Sequence, residues 1–326
     1  MAERILIASN SHDTLHVEPV AEELARQGHD VIRYEADMVA LGKKALSITM
    51  AQDADPEVRY EGEILRTQDI GAAWSRRPQH FGPFFSTEDR ATRVSLDRET
   101  IGSQQLLFDL VPDNRWLNAP GRMKHASRKL TQLALARTIG FHIPTTVVSN
   151  EWETITSTLT GDNVVYKPFY SELYNGNELR VVYTNVLENE HDGKPLVDGI
   201  PYPGIWQDFK QKYREWRITI IGDSSFDAAI YTDAFAKDDW RRHVQLSGVT
   251  FERGDFPDTE KEKCFALLGS LGLRFGTFDF VEQPDGSIVY LEMNPNGQYR
   301  WIEDLLNHPI SKAVATELAA IAKDQQ

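Results

Sequence analysis

Only one cysteine, Cys264, stands in the 326 residues. That removes an internal disulfide framework and any metal site built on several thiolates. Long hydrophobic runs are missing too: none approaches the roughly 18 apolar residues that a membrane-crossing helix needs. Met1-Ala2-Glu3-Arg4 leads into an apolar stretch too short for a signal peptide. Positive charge is scarce, with 35 Lys and Arg against 49 Asp and Glu, a net charge of −14. Broad attraction to nucleic acid or an anionic membrane is therefore not expected, although a local basic patch can still hold an anion. The histidines form no HExxH pair, no G-x-S-x-G elbow is present, and neither a P-loop nor a G-x-G-x-x-G turn occurs. Cys264, inside Lys263-Cys264-Phe265-Ala266-Leu267-Leu268, reads as core packing. What remains is a chain with 41% apolar and 26% charged residues, able to bury a sizeable core. A soluble cytoplasmic enzyme of about two or more domains is the expectation.

Arg4-Ile5-Leu6-Ile7-Ala8-Ser9 is a short apolar run suited to a strand buried on both faces of a parallel sheet. Apolar residues at Val17, Val20, Ala21 and Leu24 predict a helix over 16–27, closed by Gly28, with the next strand at 30–34. Strand, helix, glycine and strand make a βαβ unit and a doubly wound N-terminal domain. The polar stretch 53–67 alternates like a hairpin at a sheet edge, 72–75 reads as a strand and 87–110 as a long helix. After the break at Pro112-Asp113-Asn114 a helix is expected over 127–140. Strands follow at 145–149, 164–168, 179–183, 204–209, 216–222 and 225–231. A helix over 260–271 leads into strands at 277–281 and 288–291, joined by the turn Pro284-Asp285-Gly286-Ser287. An amphipathic helix over 309–323 closes the chain.

The strongest chemical signal lies in that last hairpin. If the two strands pair, Asp279 and Glu292 approach across it, and Asn294 shares a face with Glu292. Two carboxylates and an amide oxygen form a hard-donor site suited to Mg²⁺; the plainer alternative is a solvated sheet face. Lys129 opens a helix and Lys167 ends an apolar strand, each placed either to meet a phosphate as a point charge or to stay at the surface. In Lys212-Tyr213-Arg214-Glu215-Trp216-Arg217 the alternation puts Glu215 and Arg217 on one strand face, as ligand groups or as an ordinary ion pair. The arginines Arg76, Arg77, Arg217, Arg241 and Arg242 stand out in an acidic chain, since guanidinium groups bind carboxylate and phosphate in forked geometry. Asp239-Trp240-Arg241-Arg242 reads equally as a solvated helix start. Gly176, in a polar turn, is either a phosphate cover or a plain turn.

Taken in order, Lys129, Lys167, Gln207-Asp208, Glu215-x-Arg217, Asp279 and Glu292-x-Asn294 resemble the ATP-grasp ligases. Trp74-Ser75-Arg76-Arg77-Pro78, Trp116-Leu117-Asn118-Ala119-Pro120 and Lys129-x-x-Gln132-Leu133-x-x-Ala136 narrow the likeness. So do Lys212-x-x-Glu215-x-Arg217-Ile218-Thr219, Asp239-Trp240-Arg241 and Asn294-Pro295-Asn296-Gly297-Gln298-Tyr299. Together they are similar to motifs of the ATP-grasp ribosomal peptide maturases, the graspetide or microviridin-type macrocyclases. The likeness runs from Trp74 to Trp301, looser before that. It departs at Asp208, where glutamate is usual, at Trp216, where leucine is usual, and at Tyr299, where tryptophan is usual.

The resemblance implies an α/β and α+β ATP-grasp fold. A doubly wound N-terminal domain would span residues 1–115, a small central α+β lobe 116–203 and a C-terminal α+β lobe 204–326. It implies ATP and Mg²⁺ as cofactors. Lys129 and Lys167 would meet adenine and the α/β phosphates, Gln207, Asp208 and the Phe209 backbone the adenine edge, and Glu215 the ribose. Asp279, Glu292 and Asn294 would hold the metal. Arg217, Arg76, Arg77 and Arg241 are the catalytic candidates, steadying the phosphoryl group and the substrate carboxylate, with Arg242 beside them. The implied partner is a ribosomally made precursor peptide of leader and core, with neither nucleic acid nor membrane involved, and a homodimer is the expected assembly. Trp206, Lys210 and Lys212 are candidate leader contacts. The implied reaction activates side-chain carboxylates as acyl phosphates and condenses them with Ser or Thr hydroxyls or Lys amines. The alternative is an ATP-grasp carboxylate–amine ligase acting on a small molecule or a peptide terminus.

Overall fold

The computed structural model of the chain describes residues 4–78, 89–169, 172–175, 178–181, 185–188, 203–232 and 248–324. Strand β1 (Arg4–Ser9) leads into helix α1 (Thr14–Arg26) and strand β2 (Asp30–Glu35). After α2 (Ala36–Ala40) come β3 (Leu46–Ala51), β4 (Ala54–Tyr60), β5 (Glu63–Leu65), β6 (Ile70–Ser75) and the long α3 (Arg90–Asp109). β1 lies between β2 and β6 and runs parallel to both, the expected βαβ arrangement. Its side chains feed two cores by strand alternation. Ile5 and Ile7 pack with Val17, Val20 and Leu24 of α1, while Leu6 and Ala8 pack with Tyr34, Leu107 and Phe108 on the other face. The hairpin expected over 53–67 is real, but its place needs correcting. With β3 it forms a separate antiparallel sheet, because Val58, Tyr60 and Leu65 turn inward onto that second core.

α4 (Pro120–Ala126) and α5 (Lys129–Ile139) follow. Then come β7 (Thr146–Ser149), α6 (Trp152–Thr158), β8 (Asn163–Lys167), β9 (Glu172–Asn175), β10 (Glu178–Val181), β11 (Asn185–Glu188) and β12 (Gly204–Asp208). The antiparallel order β11-β8-β12-β7 makes a sheet backed by Trp152 and Ile155 of α6. That helix is hidden in the sequence, because its stretch is short and rich in β-branched threonine.

The last part of the chain holds β13 (Arg214–Ile221), β14 (Ser224–Thr232), β15 (Val249–Arg253), α7 (Asp258–Leu271), β16 (Phe275–Glu282), β17 (Ile288–Asn294), α8 (Arg300–Leu306) and α9 (Ile310–Lys323). Its antiparallel sheet has the order β15-β14-β13-β16-β17. One face, carrying Trp216, Ile218, Phe278, Phe280 and Met293, packs on Leu133 and Ala136 of α5 and Leu267 and Leu268 of α7. Cys264 is part of that core, and burial pushes its thiol pKa well up, as expected for a packing residue. Helix α9 returns to the N-terminal sheet, where Val314 and Leu318 share a core with Ile5 and Trp74. Among the described residues no helix is long and apolar enough to cross a membrane.

Candidate active site

The opposite face of the C-terminal sheet carries the polar residues singled out in the sequence. In the strand register Arg217 pairs with Asp279 and Asp279 with Glu292, so three charged residues stand side by side across β13, β16 and β17. Asn294 lies one step along, opposite Thr277, which itself faces Thr219. A register shift makes this possible. Asp279 pairs with Glu292 but Phe280 pairs with Tyr290, leaving Leu291 as an extra residue in β17. A one-residue bulge switches every later side chain to the other face. Tyr290 therefore enters the core while Glu292 and Asn294 reach the open face. Without the bulge Glu292 would follow Tyr290 inward.

Arg217 is nearly buried, and its Nη1 donates to Asp279 Oδ1 and Oδ2 at 3.1 and 3.3 Å. Its Nη2 donates to the Gln298 carbonyl at 3.4 Å, and the Trp301 ring lies 5.8 Å from the guanidinium carbon. Glu215, two residues back on β13, accepts from Lys212 Nζ at 2.8 Å. Lys129 is the first residue of α5, and its Nζ donates to the Pro168 carbonyl at 2.8 Å. Pro168 directly follows Lys167, the last residue of β8. The Lys129 ammonium thus reaches the backbone of the residue that follows Lys167. Gln207 and Asp208 end β12, with Gln207 Nε2 donating to Thr146 Oγ1 at 3.0 Å. A cavity of about 350 Å³, lined by Thr145, Leu159, Asn163, Asp208 and Phe209, opens at this edge. Phe209–Tyr213 then connects the two sheets.

The end of β17 and the loop after Asn294 are held by three buried side chains. Asn118 Nδ2 donates to the carbonyls of Phe275 and Pro295 at 2.8 and 2.9 Å, and its Oδ1 accepts from the backbone of Arg274 and Phe275. Gln132 Nε2 donates to the Met293 carbonyl at 2.6 Å, and its Oε1 accepts from Met293 N–H and the Tyr290 hydroxyl. Arg76 Nη1 donates to both the carbonyl and Oδ1 of Asn296 at 2.9 Å. Gly297 completes the loop, since a Cβ there would collide with the Thr277 hydroxyl. Asn118 and Gln132 stand in the sequence motifs, yet their roles escape sequence reasoning because their partners are far away in the chain.

Arg76 requires a correction. Expected to face a substrate, it is only 1% exposed, with Nε 3.0 Å from Asp13 Oδ2. Burial pulls its pKa down to about 10, against the opposing charge of Asp13, so it stays cationic at neutral pH. Burial would raise the Asp13 pKa, but the His16 hydrogen bond and the Arg76 charge outweigh it and hold the carboxyl below its usual range. His16 Nδ1 donates to Asp13 Oδ1 at 2.6 Å, and the ring meets that of Tyr299 edge-on at 5.1 Å. Arg77 is exposed, with a left-handed φ of 46°.

The leader contacts also change. Trp206 is 1% exposed, packed against Trp152 and Tyr166 with its Nε1 donating to the Ser149 carbonyl. It cannot meet a peptide, because it fills the core of the central lobe. Lys210 is paired with Asp208 at 2.7 Å and Lys212 with Glu215 at 2.8 Å, so both ammonium groups are engaged within the chain. Arg241, Arg242 and Gly176 lie outside the described residues.

The donor set suits magnesium. Asp279 and Glu292 are half-buried and Asn294 is exposed, all three on one face and all oxygen donors. Among the described residues no group of three His, Cys, Asp or Glu gathers at one point. A Zn-type cage is therefore not what this face offers, whereas Mg²⁺ takes one or two carboxylates and completes its shell with phosphate and water. The hydroxyls of Thr219 and Thr277, buried and without a hydrogen-bond partner among the described residues, add polar atoms on the same side of the sheet.

Comparison with known proteins bears on the fold. Residues 4–124 match the family model of the MvdD pre-ATP grasp domain. The macrocyclase MdnC from Microcystis aeruginosa MRC, solved with the precursor peptide MdnA, superposes with a TM-score of 0.82 at 25% identity, covering 97% of this chain and 99% of that one. A Chryseobacterium gregarium RiPP-associated ATP-grasp ligase, in complex with ADP and a leader and core peptide, gives a TM-score of 0.81 at 24% identity, covering 98% and 97%. The ATP-grasp ligase PsnB, complexed with minimal precursor, Mg and ADP, gives 0.74 at 21% identity, covering 98% of both chains. No curated protein sequence matches the chain. The fold is ATP-grasp.

Proposed function

We propose that this chain, an ATP-grasp protein with an MvdD-type pre-ATP-grasp domain over residues 4–124, is an ATP-dependent peptide ligase. It activates side-chain carboxylates of a ribosomal precursor peptide and joins them to hydroxyls or amines of the same peptide. The observation that carries this reading is the row Arg217–Asp279–Glu292 with Asn294 beside it on one sheet face. The precursor peptides bound to MdnC and to the Chryseobacterium ligase support the substrate class. The Mg and ADP bound to PsnB support the cofactors. The lobes are read as residues 1–115, 116–203 and 204–326, with two exchanges across the last bound: β12 (Gly204–Asp208) joins the sheet of β7, β8 and β11, and α5 joins the core under the C-terminal sheet.

In this reading Asp279, Glu292 and Asn294 hold Mg²⁺, which when bound offsets the charge of the polyphosphate. Lys129 and Lys167 meet the phosphates. Gln207, Asp208 and the Phe209 backbone hold the base at the cavity edge, and Glu215 the ribose. A peptide carboxylate oxygen attacks the γ-phosphorus, and the bond to the ADP oxygen breaks. Arg217 neutralises the transferring group, a task of positioning and charge rather than covalent chemistry. A hydroxyl or amine then attacks the acyl carbon, loses its proton and expels inorganic phosphate. Arg77, exposed beside the clasped Arg76, is read as a contact for the substrate carboxylate.

Isotope transfer tests the acyl-phosphate step. A precursor peptide carrying heavy oxygen in its Asp and Glu side chains should deliver one labelled oxygen to phosphate per ring closed. Unlabelled phosphate alongside ring closure would place the activation elsewhere.

A further inference from the structure

The Asn294 side chain is an amide, so its oxygen rather than its nitrogen must face a cation. In the structure that orientation is set locally: the Asn296 N–H donates to Asn294 Oδ1 at 2.9 Å. A carbonyl oxygen has a second lone pair left for a metal. Asn296 is itself fixed by the N-terminal domain. Arg76 takes both its carbonyl and its Oδ1, and Asn296 Nδ2 donates to the Ser75 carbonyl at 3.2 Å. Arg76 in turn is anchored by its own N–H on the Ala8 carbonyl at 2.7 Å and by Asp13 at 3.0 Å. An unbroken set of contacts thus runs from the end of β1 and the start of α1 to the amide oxygen of the metal face.

We propose that Arg76 and Asn296 are positioning residues for the metal site, through which the pre-ATP-grasp domain fixes the orientation of the Asn294 amide. The inference rests on the metal role of Asn294 given above. Metal ligands are oriented by such outer partners, and losing one typically weakens metal binding by about 10- to 100-fold. Arg76 is a guanidinium because one nitrogen must reach two oxygens of Asn296 while another faces Asp13. Lysine, a single point donor, cannot do both.

The test uses the full chain and needs no peptide. Mn²⁺ binding in the presence of ADP is followed by electron paramagnetic resonance for wild type, Arg76→Lys and Asn296→Ala. ADP affinity without metal and the circular dichroism spectrum are measured in parallel. Arg76→Lys should bind Mn²⁺ about tenfold or more weakly, with metal-free ADP affinity unchanged. Asn296→Ala, on a half-buried loop position, should show the same split if Arg76→Lys folds poorly. Unchanged Mn²⁺ affinity in both variants overturns the inference alone, as does an equal loss of metal and metal-free nucleotide binding. Failure of the wild type to bind Mn²⁺ with ADP overturns the metal reading together with it.

Discussion

Glu292→Gln should lower ATP-dependent ring formation by at least about a hundredfold, the scale of losing one preorganised charge-stabilising group, while leaving precursor binding intact. Glutamine keeps the shape and hydrogen-bonding reach of the side chain but removes the charge that holds the cation. Asp279→Asn should cause a loss of the same order, with a complication that separates the two. Asp279 neutralises Arg217, whose side chain is 6% exposed, and a nearly buried ion pair broken on one side leaves an uncompensated charge. Asp279→Asn should therefore also lower thermal stability, and Glu292→Gln should not. Turnover of precursor and precursor affinity, measured on both variants, checks the pair. Loss of precursor binding in Glu292→Gln would place that residue in peptide recognition instead.

Asn118→Ala should be the most damaging single change to stability. Asn118 is 3% exposed and satisfies two backbone carbonyls and two backbone N–H groups. Truncation strands all of them away from water, and each stranded group costs roughly 1–3 kcal/mol. Even with partial relaxation, about 4 kcal/mol is lost, a large share of the roughly 5–15 kcal/mol that holds a domain folded. Asn118→Asp distinguishes hydrogen bonding from packing. Its volume is the same, but it would turn an oxygen toward the carbonyls of Phe275 and Pro295. Urea unfolding of both variants should show Asn118→Asp nearly as unstable as Asn118→Ala. A near-native Asn118→Asp would mean that the site is held by shape alone.

Local pattern made the acidic face of the C-terminal sheet legible. Apolar alternation around Asp279 and Glu292 and the turn Pro284-Asp285-Gly286-Ser287 predicted the hairpin, and the register places the two acids opposite each other. The Leu291 bulge was not legible, because an extra residue in a strand carries no composition signal, yet it is what turns Glu292 outward. Asn118 and Gln132 looked like motif letters without a task; their partners across the site lie 156 to 177 residues further along. Arg76 and Arg77 read as a pair of anion binders, but they follow the end of β6, where the left-handed backbone of Arg77 turns the chain. One became a buried clasp and the other remained exposed. Trp206 among lysines looked like a docking surface; only the positions of Trp152 and Tyr166 show that it closes a core.

The most direct measurement is the intact mass of a Thr-, Asp- and Glu-rich precursor peptide after incubation with this protein, ATP and Mg²⁺. The account predicts successive losses of one water's mass per ring, with one ADP and one phosphate formed for each, and none without ATP or Mg²⁺. An unchanged peptide, with ATP consumed on a free amino acid or dipeptide instead, would contradict it and make the chain a small-molecule ligase.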